Sequence, residues 1–301
     1  MFFILRPFFY LLIQNKLNFF DFLPRKIRRN LKKYFRLFTS PLRIFPDFLI
    51  VGAAKSGTSS LYNYLIKHPC VIPALRKEVH YFGRNFDKKI LWYKSFFPTI
   101  IFKYINGFIY KREVLTGEAS TYYMFHPHAP KRIFSIIPNV KIIILLRNPV
   151  NRAFSHYQNL LRRGIIKLPF VEVIKKELDN SHLEKNKMLR DENYNSEFFR
   201  IYSNLARGVY IQQIRNLRKY FHEKQILIIK SENFFDNPDK ILRKVYKFLK
   251  LPYFKIKEFK KYNVGNYVEM DVKIREFLKN YFKPYNKQLY EYLVRDFKWE
   301  N

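Results

Sequence analysis

The chain has 301 residues, 48% of them hydrophobic and 19% aromatic, which fits one large α/β domain with a sizeable core better than two full domains. Lys and Arg number 57 against 24 Asp and Glu, so a formal net charge of +33 attracts polyanions such as nucleotides, acidic glycans, nucleic acid and anionic lipid. Nucleotide bias in the coding DNA explains the same surplus, and both interpretations stay open. Cys70 is the only cysteine, which excludes an intramolecular disulfide and a thiolate cluster within one chain. The seven histidines show no metal-ligand spacing, so we expect no metal.

Residues 1–45 form a basic, aromatic-rich extension, and we assign the main domain to residues 46–301. The apolar run at the start is well short of the ~20 residues that a spanning helix needs. The first 46 residues hold ten Lys or Arg and one acid among Phe, Leu, Ile and Tyr, which suits an anionic membrane surface. A helical extension packed on the domain, or a frayed terminus, explains the same pattern. We expect a cytoplasmic protein, peripheral at a membrane, and leave Golgi-type anchoring open.

Three buried strands are predicted in chain order. Residues 47–52 read as a short strand that runs directly into a loop rich in Gly, Ser and Thr, with helical spacing of apolar residues behind it. The unbroken apolar run Lys141–Leu146 predicts a strand buried on both faces, as in a parallel sheet, with a helix from Pro149. Residues 225–229 read as a third strand, followed by a helix over 237–249. Alternating strands and helices predict a mostly parallel sheet that binds ligands at the carboxyl ends of its strands.

Other segments give weaker signals. Residues 114–117 and 79–82 are further strand candidates. Residues 178–200 are polar and mixed in charge, which predicts a surface loop. The last thirty residues or so carry apolar side chains at helical spacing, and we expect two helices divided at Pro284.

The loop after the first strand, GAAKSGTSS over residues 52–60, is a candidate anion site. Backbone N–H groups of such a loop, together with the helix N-terminus behind it, bind anions, and Lys55 and the hydroxyls complete the site. A P-loop NTPase would carry lysine directly after the second glycine, where this chain has Thr58. The strongest strand is followed by Arg147, and no later strand ends in the aspartate of a magnesium site. The pattern favours an anion site without the kinase arrangement, although a Gly/Ser turn without a ligand remains the plain alternative.

A second motif, LRNPVNRAFSHY, follows the strongest strand. Arg147 stands at the carboxyl end of that strand, and Ser155 lies about two turns into the next helix, so both can face one cleft. A guanidinium and a hydroxyl suit a second phosphate, and two phosphate sites imply a nucleotide phosphorylated at two places. Taken alone, an arginine after a strand is more often a salt-bridge partner.

Read from its residues alone, the third motif, RKEVHYF, has a plain interpretation. Lys77 and Glu78 are a surface charge pair more often than a catalytic site, and His80 is more often a packed strand residue. Only its position shortly after the helix of the anion loop favours a catalytic reading.

The segments DFLIVGAAKSGTSSLYNYLIKHPCV, RKEVHYF and KIIILLRNPVNRAFSHYQ, in this order, resemble the sulfotransferases that use 3'-phosphoadenosine 5'-phosphosulfate (PAPS). Within them, the chain is similar to the branch of heparan sulfate N- and O-sulfotransferases and their bacterial relatives, from about residue 46 to the C-terminus. The resemblance implies a P-loop-like, three-layer α/β fold with a central mostly parallel sheet flanked by helices, PAPS as cosubstrate and no metal. It also implies that the 5'-phosphosulfate is held by Lys55, Ser56, Gly57, Thr58 and Ser59, and the 3'-phosphate by Arg147 and Ser155.

By the same resemblance, Glu78 is the general base, His80 orients Glu78 or contacts the acceptor, and Lys55 neutralises charge on the leaving oxygens. The expected reaction is in-line transfer of a sulfonate group from PAPS to a hydroxyl or amine of a saccharide or glycan-like acceptor, including anionic or lipid-linked ones. A carboxylate can take this proton near neutral pH if burial raises its pKa.

The chain departs from the glycosaminoglycan enzymes at three places. Gly83 stands where an aspartate is common, Ala119 stands where those enzymes carry a lysine, and the loop that closes over the cofactor is only echoed by residues 262–266. Two alternatives remain open: a P-loop nucleotide kinase or phosphotransferase, and a non-catalytic basic protein that binds polyanions or membranes. No nucleic-acid partner is expected, because no nucleic-acid-binding module is recognisable.

Overall fold

The computed structural model describes residues 24–260 and 269–300, which form a parallel sheet flanked by helices. The strands are β1 Phe48–Gly52, β2 Val71–Pro73, β3 Leu115–Glu118, β4 Lys141–Leu146 and β5 Ile226–Lys230. Their order across the sheet is β2-β3-β1-β4-β5, and each neighbouring pair is parallel. The predicted fold class is therefore confirmed, and β2 is a short strand that the sequence did not predict.

Helices connect and flank these strands. In chain order they are α1 Arg25–Phe38, α2 Thr58–Leu65, α3 Ile90–Lys94, α4 Ile100–Tyr110, α5 Ala129–Ile136, α6 Pro149–Arg162, α7 Phe170–Arg190, α8 Glu197–Ile201, α9 Tyr210–Arg218, α10 Ser231–Asp236, α11 Pro238–Leu249 and α12 Val272–Leu293. The predicted helices at Pro149 and over 237–249 are confirmed as α6 and α11.

The sheet is the middle of three layers because its side chains alternate between two cores. On β1, Leu49 and Val51 belong to one apolar cluster, whereas Phe48 and Ile50 belong to the other, and all four are fully buried. Burial on both faces explains why β1 and β4 read as unbroken apolar runs.

The strand order fixes where a ligand can bind. The chain leaves β1 toward β2 on one side of the sheet and leaves β4 toward β5 on the other side. The loops after β1 and β4 therefore diverge, which opens a crevice at the carboxyl ends of these two neighbouring strands.

Three predictions of local structure are wrong. Residues 79–82 form no strand, because the N–H groups of Val79 and His80 donate to side chains, not to a neighbouring strand. The predicted surface loop over 178–200 is in large part the helix α7, whose few apolar side chains are spaced to bury one face. Helix α12 continues through Pro284, since Leu278, Phe282 and Leu289 pack on one buried face on both sides of it.

Part of the N-terminal extension is helical and packs on the domain. Residues 1–23 lie outside the described residues. Helix α1 is attached to the domain by Arg36, whose guanidinium donates to the carbonyl oxygens of Ser95 (2.6 Å) and Phe97 (3.2 Å). Among the described helices, none is both long enough and apolar enough to cross a membrane. The division of the chain at residues 45 and 46 stays a prediction.

Candidate active site

The anion loop bends sharply between β1 and α2. The N–H of Ala53 donates to the carbonyl of Leu145 on β4 (2.7 Å), which ties the loop to the neighbouring strand. Lys55 and Gly57 have positive φ angles of 70° and 88°. Gly57 also has no room for a side chain, because a Cβ there would meet the ring of Phe235 at 2.8 Å. This turn places the unpaired N–H groups of the first turn of α2 directly behind the loop.

The predicted site residues meet at one cleft of about 1110 Å³ at the carboxyl ends of β1 and β4. That volume is large for a small-molecule site, which leaves room for a nucleotide and part of an acceptor. Its walls include Lys55, Gly57, Thr58, Ser59, Glu78, His80, Arg147 and Ser155. Ser56 alone among the predicted residues does not line the cleft. It is fully buried, its carbonyl accepts from Ser231 (2.8 Å), and its Oγ has no hydrogen-bond partner among the described residues.

Positive charge converges on the loop. The guanidinium of Arg147 donates to the carbonyl oxygen of Lys55 (3.1 Å), which links the two predicted phosphate motifs directly. Burial lowers the pKa of Lys55, and so do the charges of Arg162, Arg147, Arg163 and Lys77 in that order; together they bring it to about 8. An anion bound beside Lys55 would relieve this repulsion, so the electrostatics fit a ligand with several negative charges.

Glu78 lies between two basic side chains. Its Oε1 is 2.9 Å from Lys77 Nζ and its Oε2 is 3.2 Å from His80 Nε2, while Lys77 also donates to Ser59 Oγ (2.7 Å). Burial acts to raise the pKa of Glu78, but the hydrogen bond from His80 and the charge and hydrogen bond of Lys77 outweigh it and lower the pKa to about 2. The condition that burial raises this pKa toward neutral is therefore not met in this arrangement, because the basic neighbours outweigh burial. Glu78 is ionised and able to accept a proton, and Lys77 joins it to the anion loop.

A buried carboxylate holds the segment that carries Glu78 and His80. Glu118, at the end of β3, accepts from the hydroxyls of Tyr93 (2.8 Å) and Tyr123 (2.9 Å) through Oε1. Its Oε2 accepts from Ser120 Oγ (2.6 Å) and from the N–H of Val79 (3.0 Å). Glu118 is fully buried, and the burial raises its pKa although these donors act in the opposite direction. Its place at the carboxyl end of a strand candidate was the available sequence signal, but Glu118 was not among the predicted site residues.

Three residues that line the cleft were not predicted as site residues from the sequence. The guanidinium groups of Arg84 and Arg207 lie 4.9 and 5.2 Å from the ring centroid of Tyr122. A Cβ on Gly83 would meet the same ring at 2.8 Å, so Tyr122 occupies the space that a larger residue at position 83 would need. No sequence spacing links these residues, because three separate segments contribute them. They add two cationic side chains to the lining of the cleft.

The comparisons with known proteins identify the family. A family model described as "Sulfotransferase domain" matches residues 45–283. The chain belongs to the sulfotransferase family. It is an enzyme of the sulfotransferase class (EC 2.8.2.-), and the resemblance seen in the sequence is confirmed. Membership in this family also disfavours the nucleotide kinase alternative.

Relatives of this sulfotransferase differ in how much of their length it spans. It is 29% identical to the "Membrane-associated sulfotransferase kil1" of Dictyostelium discoideum, covering 86% of this chain and 68% of that protein. It is 27% identical to "Heparan sulfate glucosamine 3-O-sulfotransferase 5" of Mus musculus, covering 84% and 74%. With "Bifunctional heparan sulfate N-deacetylase/N-sulfotransferase 1" of Caenorhabditis elegans the identity is 27%, and the match covers 83% of this chain but only 30% of the relative.

A solved structure supports the same assignment. The "Crystal Structure of Sulfotransferase from Alicyclobacillus acidocaldarius" superposes with a TM-score of 0.65 at 30% identity, covering 86% of this chain and all of that one. In the present sulfotransferase, the segment 262–266 that resembled a cofactor-closing loop lies outside the described residues. The roles of the individual site residues, and the expectation that no metal is needed, stay predictions.

Proposed function

We propose that this sulfotransferase transfers a sulfonate group from PAPS to a hydroxyl or amine of a saccharide. The observation that carries the proposal is that the guanidinium of Arg147 donates a hydrogen bond to the carbonyl oxygen of Lys55, and that both residues line one cleft with Glu78. A nucleotide with phosphates at both ends would span the two anion sites while its reacting group lies toward Glu78.

The residues present fit PAPS. When bound, PAPS supplies an activated sulfonate with a phosphate leaving group. Lys55, Gly57, Thr58 and Ser59, together with the N–H groups at the start of α2, would hold the 5' end, whereas the Oγ of Ser56 is buried and does not line the cleft. Arg147 and Ser155 would hold the 3'-phosphate, with the guanidinium providing paired donors to its oxygens.

Glu78 would accept the proton of the acceptor hydroxyl or amine. A carboxylate with a pKa of about 2 is a weak base, so the contact with Lys77 must loosen before Glu78 works efficiently. Lys77 already donates to Ser59 on the anion loop, and a shift of its ammonium toward an anion bound there would raise the pKa of Glu78. His80 would keep the carboxylate oriented, and Lys55 would stabilise charge that develops on the leaving oxygen.

The acceptor we propose is an anionic saccharide. The lining of the cleft includes Arg84 and Arg200, whose guanidinium groups suit carboxylate or sulfate groups, although Arg200 also pairs with Glu197 (2.5 Å). Arg207 lines the same cleft but is buried, and it donates to Ser203 and to the carbonyl oxygen of Phe199. Relatives named for heparan sulfate, itself an acidic glycan, support this assignment. The proposed acceptors include lipid-linked glycans and other hydroxyl compounds. The proposed location is the cytoplasm, with peripheral attachment to a membrane.

The test is a PAPS-consumption screen over paired anionic and neutral glycans and lipids, with the adenosine 3',5'-bisphosphate product measured directly. We expect turnover with PAPS and preference for anionic acceptors that weakens as salt rises. Lys55→Ala and Arg147→Ala should weaken PAPS binding. Activity that requires Mg-ATP in place of PAPS would revive the kinase alternative.

If the chain were instead a non-catalytic basic protein, Glu78 would not be needed for its function. Its affinity for polyanions would fall steeply with salt and would survive Glu78→Ala, and no acceptor would cause PAPS to be consumed. Equal activity on the neutral and anionic members of each glycan pair across a salt series would contradict the assignment of an anionic acceptor.

A further inference from the structure

Helix α1 turns its apolar face outward. Ile27, Leu31, Tyr34, Phe35 and Phe38 follow one another at helical spacing, so they form one stripe along the helix. All five are between 40% and 85% exposed. In a helix that packs on a core, such a stripe is the buried face.

Helix α4 has the same reversed arrangement. Ile101, Tyr104, Ile105 and Phe108 form a stripe with i, i+3, i+4, i+7 spacing, and their exposure lies between 37% and 82%. Exposed apolar stripes of this kind on two helices mark an interaction site on a folded protein.

Both helices attach to the domain through polar side chains. On α1, Arg36 lies half a turn away from Ile27 and donates to two carbonyl groups of the domain. On α4, Lys103 pairs with Asp47 (2.9 Å) and Asn106 is buried, and both lie opposite the apolar stripe. The outward apolar faces are therefore fixed by specific contacts on the opposite sides of the helices.

The C-terminal end of α1 lies near the start of α4, at the end of the sheet that is opposite the cleft. Arg43, soon after α1, bridges to Thr99, the residue that caps α4. Asp47, which binds Lys103 of α4, immediately precedes β1 and also accepts from the N–H of Thr116 (2.8 Å). The apolar faces thus lie at the amino ends of β1 and β3, about 16 Å along the strand direction from the cleft at the carboxyl ends.

We propose that these two apolar faces together form the docking surface for a bilayer rich in anionic lipid. Charge complementarity selects this partner, because α1 reads RKIRRNLKKYFRLF and seven of its 14 residues are Lys or Arg, with no acid among them. A second copy of the chain on this surface would bring two such helices together and incur repulsion. Docking in this way turns the cleft away from the bilayer, so the acceptor reaches it from the aqueous side.

The test uses the full chain and vesicles of phosphatidylcholine, with or without about one-third phosphatidylglycerol. We expect cosedimentation with the anionic vesicles that salt weakens. The double variant Tyr104→Ser, Phe108→Ser should lower the partition coefficient by about tenfold or more, since two large side chains leave the interface. Leu183→Ser on α7, which removes another exposed apolar side chain, is the matched control and should bind as the wild type does.

A fluorescence measurement keeps the proposal testable without relying on the stability of these variants. The single Cys70 is buried, so a polarity-sensitive label can be attached at Phe108→Cys, with Leu183→Cys as control. A blue shift at position 108 alone, on adding anionic vesicles, supports the proposal. The proposal is overturned if the variant Tyr104→Ser, Phe108→Ser binds anionic vesicles as well as the wild type does. It is also overturned if the emission of the label at position 108 is already blue-shifted without vesicles, because the chain itself or a second copy would then cover the face. Sulfonate transfer to a soluble acceptor should be unchanged in every variant, so failure here is distinguishable from failure of the proposed reaction.

Discussion

The pH dependence of nucleotide binding should follow the protonation of Lys55. Burial and the surrounding cations lower its pKa to about 8, so its ammonium is about 90% populated at pH 7 and about 10% populated at pH 9. Because an anion binds the charged form, affinity for adenosine 3',5'-bisphosphate should fall about tenfold between these two pH values. The phosphates change charge little over this range, since a second pKa of about 6 leaves them about 90% doubly ionised already at pH 7. His156, which lines the same cleft, stays neutral, because burial holds its pKa well below the usual value.

Isothermal titration calorimetry in buffers of different ionisation enthalpy measures both parts of this prediction. The wild type should take up a proton on binding at about pH 8 to 9 and lose affinity as the pH rises. Lys55→Arg is the matched control, because a guanidinium keeps its charge and should bind with little pH dependence. An identical slope in the wild type and in Lys55→Arg would refute the reasoning. Folding stability should change with pH in the opposite direction. The lowered pKa of Lys55 means that its protonation destabilises the folded state below about pH 8, and this effect disappears as the pH rises from about 8 toward 10.5, the pKa of an unperturbed lysine.

The other predictions concern the base, its support and the loop. Glu78→Gln should leave PAPS binding intact and lower kcat by about 10² to 10⁴, measured by product formation, and turnover at the wild-type rate would end its assignment as base. Glu118→Leu should lower the free energy of unfolding by about 3 kcal/mol in urea titration, because it leaves four buried donors without an acceptor. An unchanged midpoint would contradict that account. Gly57→Ala should weaken nucleotide binding and cost more stability than Gly164→Ala, which shares the positive φ but meets nothing within 4 Å, and equal effects would mean that Phe235 yields freely.

The parallel sheet could be predicted because its strands carry their own signal. The strands β1 and β4 are short apolar runs between turn residues, which is the pattern that burial on both faces imposes. The strand β5 is also an apolar run, but it lies at the edge of the sheet and only Ile229 in it is buried, so the predicted burial of this strand is wrong. Helix α7 was missed for the converse reason, since a long helix on the surface needs few apolar residues and its charged remainder resembles a loop. The helix break predicted at Pro284 is absent because tertiary contacts on both sides of the proline hold α12 together, and the local sequence does not reveal these contacts.

The site could be predicted only where its residues follow one another closely in the chain. The anion loop and the motif around Arg147 are continuous segments beside predicted strands, so their meeting at one cleft follows from the strand order. The pKa of Glu78 depends instead on where the ammonium of Lys77 points, and no spacing reveals that. The stack of Arg84, Tyr122 and Arg207 is likewise assembled by the fold from distant segments.

The central claim is that the Lys55 loop and Arg147 hold opposite ends of one doubly phosphorylated nucleotide. The most direct test compares the affinities of adenosine 3',5'-bisphosphate and adenosine 5'-phosphate for the wild type and for Arg147→Ala. We predict that the wild type prefers the bisphosphate by roughly 10-fold to 100-fold and that the preference largely disappears in Arg147→Ala, because the 3'-phosphate and the guanidinium bind each other. A preference of equal size in both proteins would place the 3'-phosphate elsewhere and contradict the account.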